Sequence, residues 1–157
     1  SGTVRMPAWI CKPHAELTPA ELYAILRLRS EVFVVEQNCV FLDMDGKDLL
    51  GQTEHLMAWQ DSALVAYSRL LEPALNDGQA IIGRVITAPA ARGTGLGHEL
   101  MRRAKAEVAR LWPGQPVYLG AQARLKGYYG GHGFVPVTEE YIEDGIPHVG
   151  MLLQEAA

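Results

Sequence analysis

The stretch Val85-Ile86-Thr87-Ala88-Pro89-Ala90-Ala91-Arg92-Gly93-Thr94-Gly95-Leu96-Gly97-His98 decides the fold. Its first residues close a run rich in branched side chains, Ala80 to Thr87, which predicts a strand. From Leu96 onward, Leu100, Met101, Ala104, Val108 and Leu111 recur on one helical face. The predicted helix opens near Gly95, and Trp112-Pro113-Gly114 stops it. Glycines in a strand-to-helix turn let successive backbone N–H groups point inward with no Cβ in the way. The helix N-terminus adds positive potential, and Arg92 supplies a charge partner, so the turn suits a pyrophosphate. Two other phosphate loops fail on residues. A Walker A loop needs Lys and Ser or Thr after its last glycine, where this chain has His98-Glu99. A dinucleotide fingerprint needs Gly-x-Gly-x-x-Gly, and the chain has Gly-x-Gly-x-Gly.

Outward from the turn, the chain reads as one domain over residues 1–157, with Ser1-Gly2 set aside as a tag remnant. Thr18-Pro19-Ala20-Glu21 is a capping box, and Leu22, Ile25, Leu26 and Phe33 extend a helix over roughly 19–35. Residues 36–53 read as a long loop. His55 to Gln60 and Ala63 to Glu72 flank Asp61-Ser62 as a hairpin. After the glycine turn and its helix come a strand Val117 to Ala121, a short helix Gln122 to Tyr129, and strands Phe134 to Val137 and His148 to Leu153. The order β-α-β-β-β-α-β-α-β-β joins an antiparallel meander to a strand–helix–strand crossover. That is an α/β (α+β) mixed sheet with helices on both faces.

A net charge of −4 argues against nucleic acid as a partner. Residues 84–126 nevertheless hold eight of the fourteen basic residues and only Glu99 and Glu107 of the eighteen acidic ones. Such a local field suits a small polyanion. No apolar run approaches the roughly 20 residues that span a bilayer, and the N-terminus lacks signal-peptide order, so a cytoplasmic protein with no membrane partner is expected. Cys11 and Cys39 are too few for a disulfide framework and are expected as thiols. The five histidines show no metal-ligand spacing, so no metal is expected.

Arg92-Gly93-Thr94-Gly95-Leu96-Gly97 fits every position of the Arg/Gln-x-x-Gly-x-Gly/Ala turn of the GNAT superfamily of N-acetyltransferases. Tyr129-Gly130-Gly131-His132-Gly133-Phe134 resembles the later Tyr-x-x-x-Gly-Phe element. More narrowly, Leu28 to Gln37, Asp45-Gly46 and Glu143-Asp144-Gly145-Ile146-Pro147-His148 resemble the ElaA-like subfamily. The chain departs from it at Cys39-Val40-Phe41, where Cys-Pro-Tyr is usual. The resemblance implies a mostly antiparallel sheet whose central parallel pair splays apart to take pantetheine along the strand ending Val85-Ile86-Thr87. It implies acetyl-CoA as cosubstrate and a small-molecule or peptide amine as acceptor; a homodimer is compatible with it.

Acyl transfer to an amine needs a neutral nucleophile, a donor for the oxyanion and a proton for the departing thiolate. By resemblance Tyr129 supplies that proton, with Tyr128 left to packing. His148, Glu36 and His55 are candidates for the base. Val85, Ile86, Thr87, Arg92, Gly93, Thr94, Gly95, Leu96, Gly97, His98, Gln122 and Tyr129 are expected to hold acetyl-CoA. Glu36, Asp43, Asp45, Asp48, Glu139, Glu140, Glu143 and Asp144 crowd the expected acceptor side, which favours a cationic amine. Two alternatives stand beside this reading. One is a non-catalytic acyl-CoA sensor. The other is a relative of acyl-homoserine-lactone synthases, whose early helix has an Arg-x-x-x-Phe pattern like Arg29 to Phe33.

Overall fold

The structure, a computed structural model, describes residues 6–154; Ser1-Gly2 lies outside them. Its strands are β1 (Ala8–Pro13), β2 (Glu54–Gln60), β3 (Ala63–Leu71), β4 (Ala80–Thr87), β5 (Val117–Gln122), β6 (Phe134–Pro136), β7 (Tyr141–Glu143) and β8 (Ile146–Leu153). Its α-helices are α1 (Pro19–Arg29), α2 (Leu96–Leu111) and α3 (Lys126–Gly130). The strands form one sheet ordered β1-β2-β3-β4-β5-β8-β6, with β7 paired to β8. Every pairing is antiparallel except β4 with β5.

Alternation along β2 sends side chains to two cores. Leu56 and Ala58 join Leu100, Met101, Ala104 and Val108 of α2 on one face. Met57 and Trp59 join Ile25 and Leu28 of α1 on the other. The expected capping box starts α1: Glu21 N–H donates to the Thr18 hydroxyl at 3.1 Å, and Thr18 N–H to the Glu21 carboxylate at 2.8 Å.

The first helix differs from the expected continuous one. It is α-helical only to Arg29, and Ser30–Glu36 follows as a π-helix. Gln37 N–H reaches back to Val32 C=O at 3.2 Å and Cys39 N–H to Val34 C=O at 3.0 Å, the wider spacing of that turn. The junction residue explains the change. Arg29 is fully buried, yet it sits on a helix that otherwise packs apolar residues inward. Its guanidinium donates to Asp43 at 2.9 Å, to the Asp43 carbonyl at 2.9 Å and to Asp48. Arg69 of β3 bonds Asp45 through two 2.8 Å contacts and Asp48 at 2.9 Å, and Arg84 of β4 bonds Asp43 at 2.8 Å. Of the loop expected over 36–53, Glu36 closes the π-helix and the rest is clamped by three arginines from three elements. Burial opposes ionisation of Asp48, but the hydrogen bond and charge of Arg29, then of Arg69, outweigh it and hold the carboxyl below its ordinary range.

Two further differences are local. Gln122, expected to begin a helix, ends β5, and a 3₁₀ turn over Ala123–Leu125 precedes α3. The strand β7 is too short and too exposed to show a pattern in sequence. Both cysteines are free. Burial, then the charges of Glu107 and Glu54, push the Cys11 thiol up to about 12, so it stays protonated.

Removing one partner of a buried ion group strands the others. Arg29→Ala is therefore expected to lower unfolding free energy by about 3–5 kcal/mol in urea titration. Arg27→Ala, on the rim of the same helix, should change it by less than about 0.5 kcal/mol.

Candidate active site

The parallel pair β4 and β5 is joined only at Ala80 with Val117 and Ile81 with Tyr118. Beyond that the strands part, because β4 bulges. Arg84 takes a left-handed φ of 49°, and the β3–β4 register shifts opposite it between Tyr67 and Arg69. A non-glycine residue in that region is held there against its preference; here the Arg84–Asp43 contact holds it. The β5-facing edge of Val85, Ile86 and Thr87 is left without a strand partner.

Thr87 leads into the glycine turn. Gly93 and Gly95 have φ of 80° and 82°, and a Cβ at either would meet nothing within 4 Å, so both face open space. Gly97 is tight for a different reason: a Cβ there would lie 3.3 Å from the Tyr128 hydroxyl, which would have to give way slightly, and 3.8 Å from Thr87. Thr94 donates its hydroxyl to the Ala91 carbonyl at 2.8 Å, closing the turn. The N–H groups of residues 93–98, through Leu96 to His98, donate to no acceptor among the described residues. A run of unclaimed donors beside two bare glycines is what a pyrophosphate fits.

Arg92 is not free at the mouth of this cradle. It holds Glu36 in a two-pronged ion pair, at 3.0 and 2.7 Å, and that hydrogen bond chiefly keeps the Glu36 carboxyl below its ordinary range. The next residue, Gln37, accepts from the Gln122 side-chain amide at the end of β5 at 3.2 Å, while Arg124 donates to the Gln122 Oε1 at 3.2 Å. Glu36-Gln37 therefore straps the end of the π-helix to both lips of the parted strands. Nothing in the sequence marked Gln37 for this.

The proposed acid and bases fall in different surroundings. Tyr129 is buried between Tyr128 and Phe134, with ring centroids at 5.0 and 6.4 Å. Among described side chains, Arg69 Nε is the only buried nitrogen or oxygen without a partner. The Tyr129 hydroxyl bonds to no described residue, so it must reach solvent. Burial, then Tyr128, push its phenol above its ordinary value, so it keeps its proton at neutral pH. His148 pairs with Gln122 across β5 and β8. Its Nδ1 lies 2.7 Å from the Ile146 carbonyl, which can only accept. Nδ1 therefore carries the hydrogen, and Nε2, 3.8 Å from Glu143, keeps its lone pair in the neutral ring. His55 is different. It is fully buried, its Nε2 donates to the Asp48 carbonyl at 2.9 Å, and its Nδ1 accepts from the Tyr67 hydroxyl at 2.7 Å. Burial pushes its pKa down. With both nitrogens engaged, His55 is a strut for the 37–53 segment and has no lone pair to offer a substrate.

Two charge readings need correction. Asp43, Asp45 and Asp48 do not line an acceptor surface, since all three are bound by arginines. The basic stretch is also largely answered within the chain: Arg84 by Asp43, Arg92 by Glu36, Arg102 and Arg103 by Glu99, and Arg110 by Glu107. Among the described residues no group of three or more His, Cys, Asp or Glu is placed to hold a metal, and no helix is long and apolar enough to cross a membrane.

Strands that part beside a glycine turn of free N–H groups define an acyl-CoA acyltransferase site. The family model for the acetyltransferase (GNAT) domain matches residues 31–155, and the chain belongs to the GNAT acetyltransferase family. Within it, the chain is 49% identical to protein ElaA of Escherichia coli over 146 residues, 93% of this chain and 95% of ElaA. The crystal structure of E. coli ElaA superposes with a TM-score of 0.90 at 47% identity, covering 95% of this chain and 100% of that one. An acyl-CoA N-acyltransferase from Pseudomonas aeruginosa superposes with a TM-score of 0.92 at 59% identity, covering 94% and 99%. The acyl-homoserine-lactone synthase LasI, at 14% identity and a TM-score of 0.72 over 93% and 89%, shares the fold alone.

Gly95→Asp adds a carboxylate to open space at a left-handed φ that Asp tolerates with some strain, so the fold should survive with reduced stability while affinity for CoA falls by roughly tenfold or more in isothermal titration, the scale of a like charge held near the ligand. Glu36→Gln removes the internal anion that occupies Arg92. It should tighten CoA binding, by no more than roughly fivefold for an exposed pair.

Proposed function

We propose that this protein is a cytoplasmic N-acetyltransferase that moves the acetyl group of acetyl-CoA onto a primary amine of a small molecule or peptide. The observation that carries the reading is the row of unclaimed N–H groups at residues 93–98, set where β4 leaves β5. The backbone from Arg92 through Gly93, Thr94, Gly95, Leu96, Gly97 and His98 would hold the pyrophosphate. The free edge of Val85-Ile86-Thr87 would pair with the pantetheine amides. When the pyrophosphate takes Arg92, Glu36 loses its partner and its carboxylate becomes available to an ammonium group.

The acceptor must lose a proton before it attacks. With Nδ1 held by the Ile146 carbonyl, the His148 Nε2 lone pair would receive it, through water or directly. As the thioester carbon–sulfur bond breaks, Tyr129 would donate its phenolic proton to the leaving thiolate. Burial keeps that proton in place across the whole neutral range, so the hydroxyl has it to give when the thiolate leaves. Gln122 would complete the wall on the β5 side. The acidic residues left to favour a cationic acceptor are Glu36, Glu139, Glu140, Glu143 and Asp144.

Free CoA at 100 times its dissociation constant should raise unfolding free energy by ~2.7 kcal/mol, read as a thermal shift. No shift at millimolar CoA would sink the cofactor assignment. Tyr129→Phe should bind acetyl-CoA as the wild type does yet turn over an amine, found by screening a library for thiol release, ~10²-fold more slowly. Wild-type turnover in that variant removes Tyr129 from the chemistry. A wild type that binds acetyl-CoA tightly and acetylates no amine in the screen is a sensor instead.

A further inference from the structure

One cluster beside the glycine turn has no part in the chemistry above. His98, exposed in the first turn of α2, has its Nδ1 2.9 Å from Nε2 of His132, which is buried just past α3. The Tyr128 ring lies against both imidazoles, at 5.1 and 5.3 Å between centroids. Its hydroxyl donates to the Gly97 carbonyl at 2.7 Å, so the cluster is fastened to the turn itself. Lys105 donates to the His132 carbonyl at 2.9 Å.

The charges around this pair are one-sided. Burial first, and then His98, Lys105 and Arg102, hold the His132 pKa below its ordinary value. The nearby carboxylate is Glu99, and Arg102 and Arg103 both bind it. The two imidazoles, Lys105 and Arg102 thus meet with no free anion of the described residues among them, and such a field is relieved by an anion from outside. The hydrogen bond between the rings also sets what His98 can offer. A carbonyl can only accept, but a neutral imidazole can do either. When His132 donates the shared hydrogen, His98 Nε2 carries the other and faces outward as a donor. With a proton added to the pair, His98 Nε2 is a donor in either arrangement, and the charge sits on whichever ring holds the shared hydrogen.

CoA bears phosphate at two separate places. The N–H groups of residues 93–98 suit the pyrophosphate and cannot also serve the monoester on the ribose 3′ oxygen. We infer that His98, oriented by His132 and flanked by Lys105 and Arg102, is the seat of that 3′-phosphate monoester. The inference rests on the acyl-CoA reading of the turn and adds a second anion site to it. Tyr128 acts as a positioning residue, holding both rings and the Gly97 carbonyl in one unit.

The test is isothermal titration of CoA and of 3′-dephospho-CoA into the wild type and into His98→Ala, whose exposed side chain can be lost without unfolding the chain. The wild type should prefer CoA by roughly tenfold or more, as a charge-assisted hydrogen bond allows. That preference should vanish in His98→Ala, which keeps the backbone N–H of the glycine turn, so that affinity for CoA falls far more than affinity for 3′-dephospho-CoA. A wild type that binds both equally overturns the inference, as does a variant that loses affinity equally for both. In either case the pyrophosphate cradle stands. Failure of the wild type to bind either compound overturns the acyl-CoA reading and this one with it.

Discussion

A guanidinium sealed from water keeps its charge, and the surrounding chain has to answer it. Arg29 is that group here, and the segment from Gln37 to Thr53 is arranged around it. Its two aspartate partners lie in a segment of little regular structure that would otherwise have no reason to cross the sheet. Asp48 also binds Arg69, Asp43 also binds Arg84, and the Asp48 carbonyl takes the hydrogen of His55. One helix, three strands and a loop are thereby tied at a point buried beneath the parted strands. A pair of charges in such a place contributes little net stability over well-packed apolar residues. What it supplies is position, because the partners bond in few geometries.

Arg84 connects this buried tie to the cleft. Its backbone is the bulge that turns β4 away from β5, and its side chain anchors Asp43. The same residue thus opens the groove and holds down the segment beside it. At the other end of the π-helix, Glu36 and Gln37 reach the glycine turn and β5. The region over the cleft is fastened on the inside by buried ion pairs and at the rim by an exposed ion pair and an amide contact. The rim contacts are weak in water and the inner ones are not. Movement of this segment is therefore expected at its rim and not at its root.

How far the sequence reached depended on whether the signal was local. The glycine turn, the capping box at Thr18, the apolar stripe of α2 and the hairpin at Asp61-Ser62 are written within a few residues each, and all were legible. Glycine is also the one residue whose purpose at a left-handed φ can be read without knowing its neighbours. The charged residues were misjudged because a charge says nothing of its partner. Asp43, Asp45 and Asp48 look like a solvated acidic loop until three arginines from distant positions close on them. His55 looked like a base because strand position does not reveal that Tyr67 and Asp48 occupy both its nitrogens. The π-helix was hidden since its apolar positions, Val32 and Phe33, fit an α-helical spacing as well. The pairing of His98 with His132 spans 34 residues and has no sequence signature at all.

The parted strands have a consequence for how such a protein can change its substrate. The proposed donor side, from Val85 to His98, is made mostly of main-chain groups and bare glycines, so many side-chain replacements would leave it intact. Opposite it lies a loop whose shape is set by three aspartates on three arginines. Grafting a foreign segment between Gln37 and Thr53 would succeed only if it brought acidic residues at matching spacing, or if Arg29, Arg69 and Arg84 were replaced together. Diversification of this scaffold is thus constrained by a hidden ionic register, and libraries that randomise the loop freely would yield mostly unfolded members.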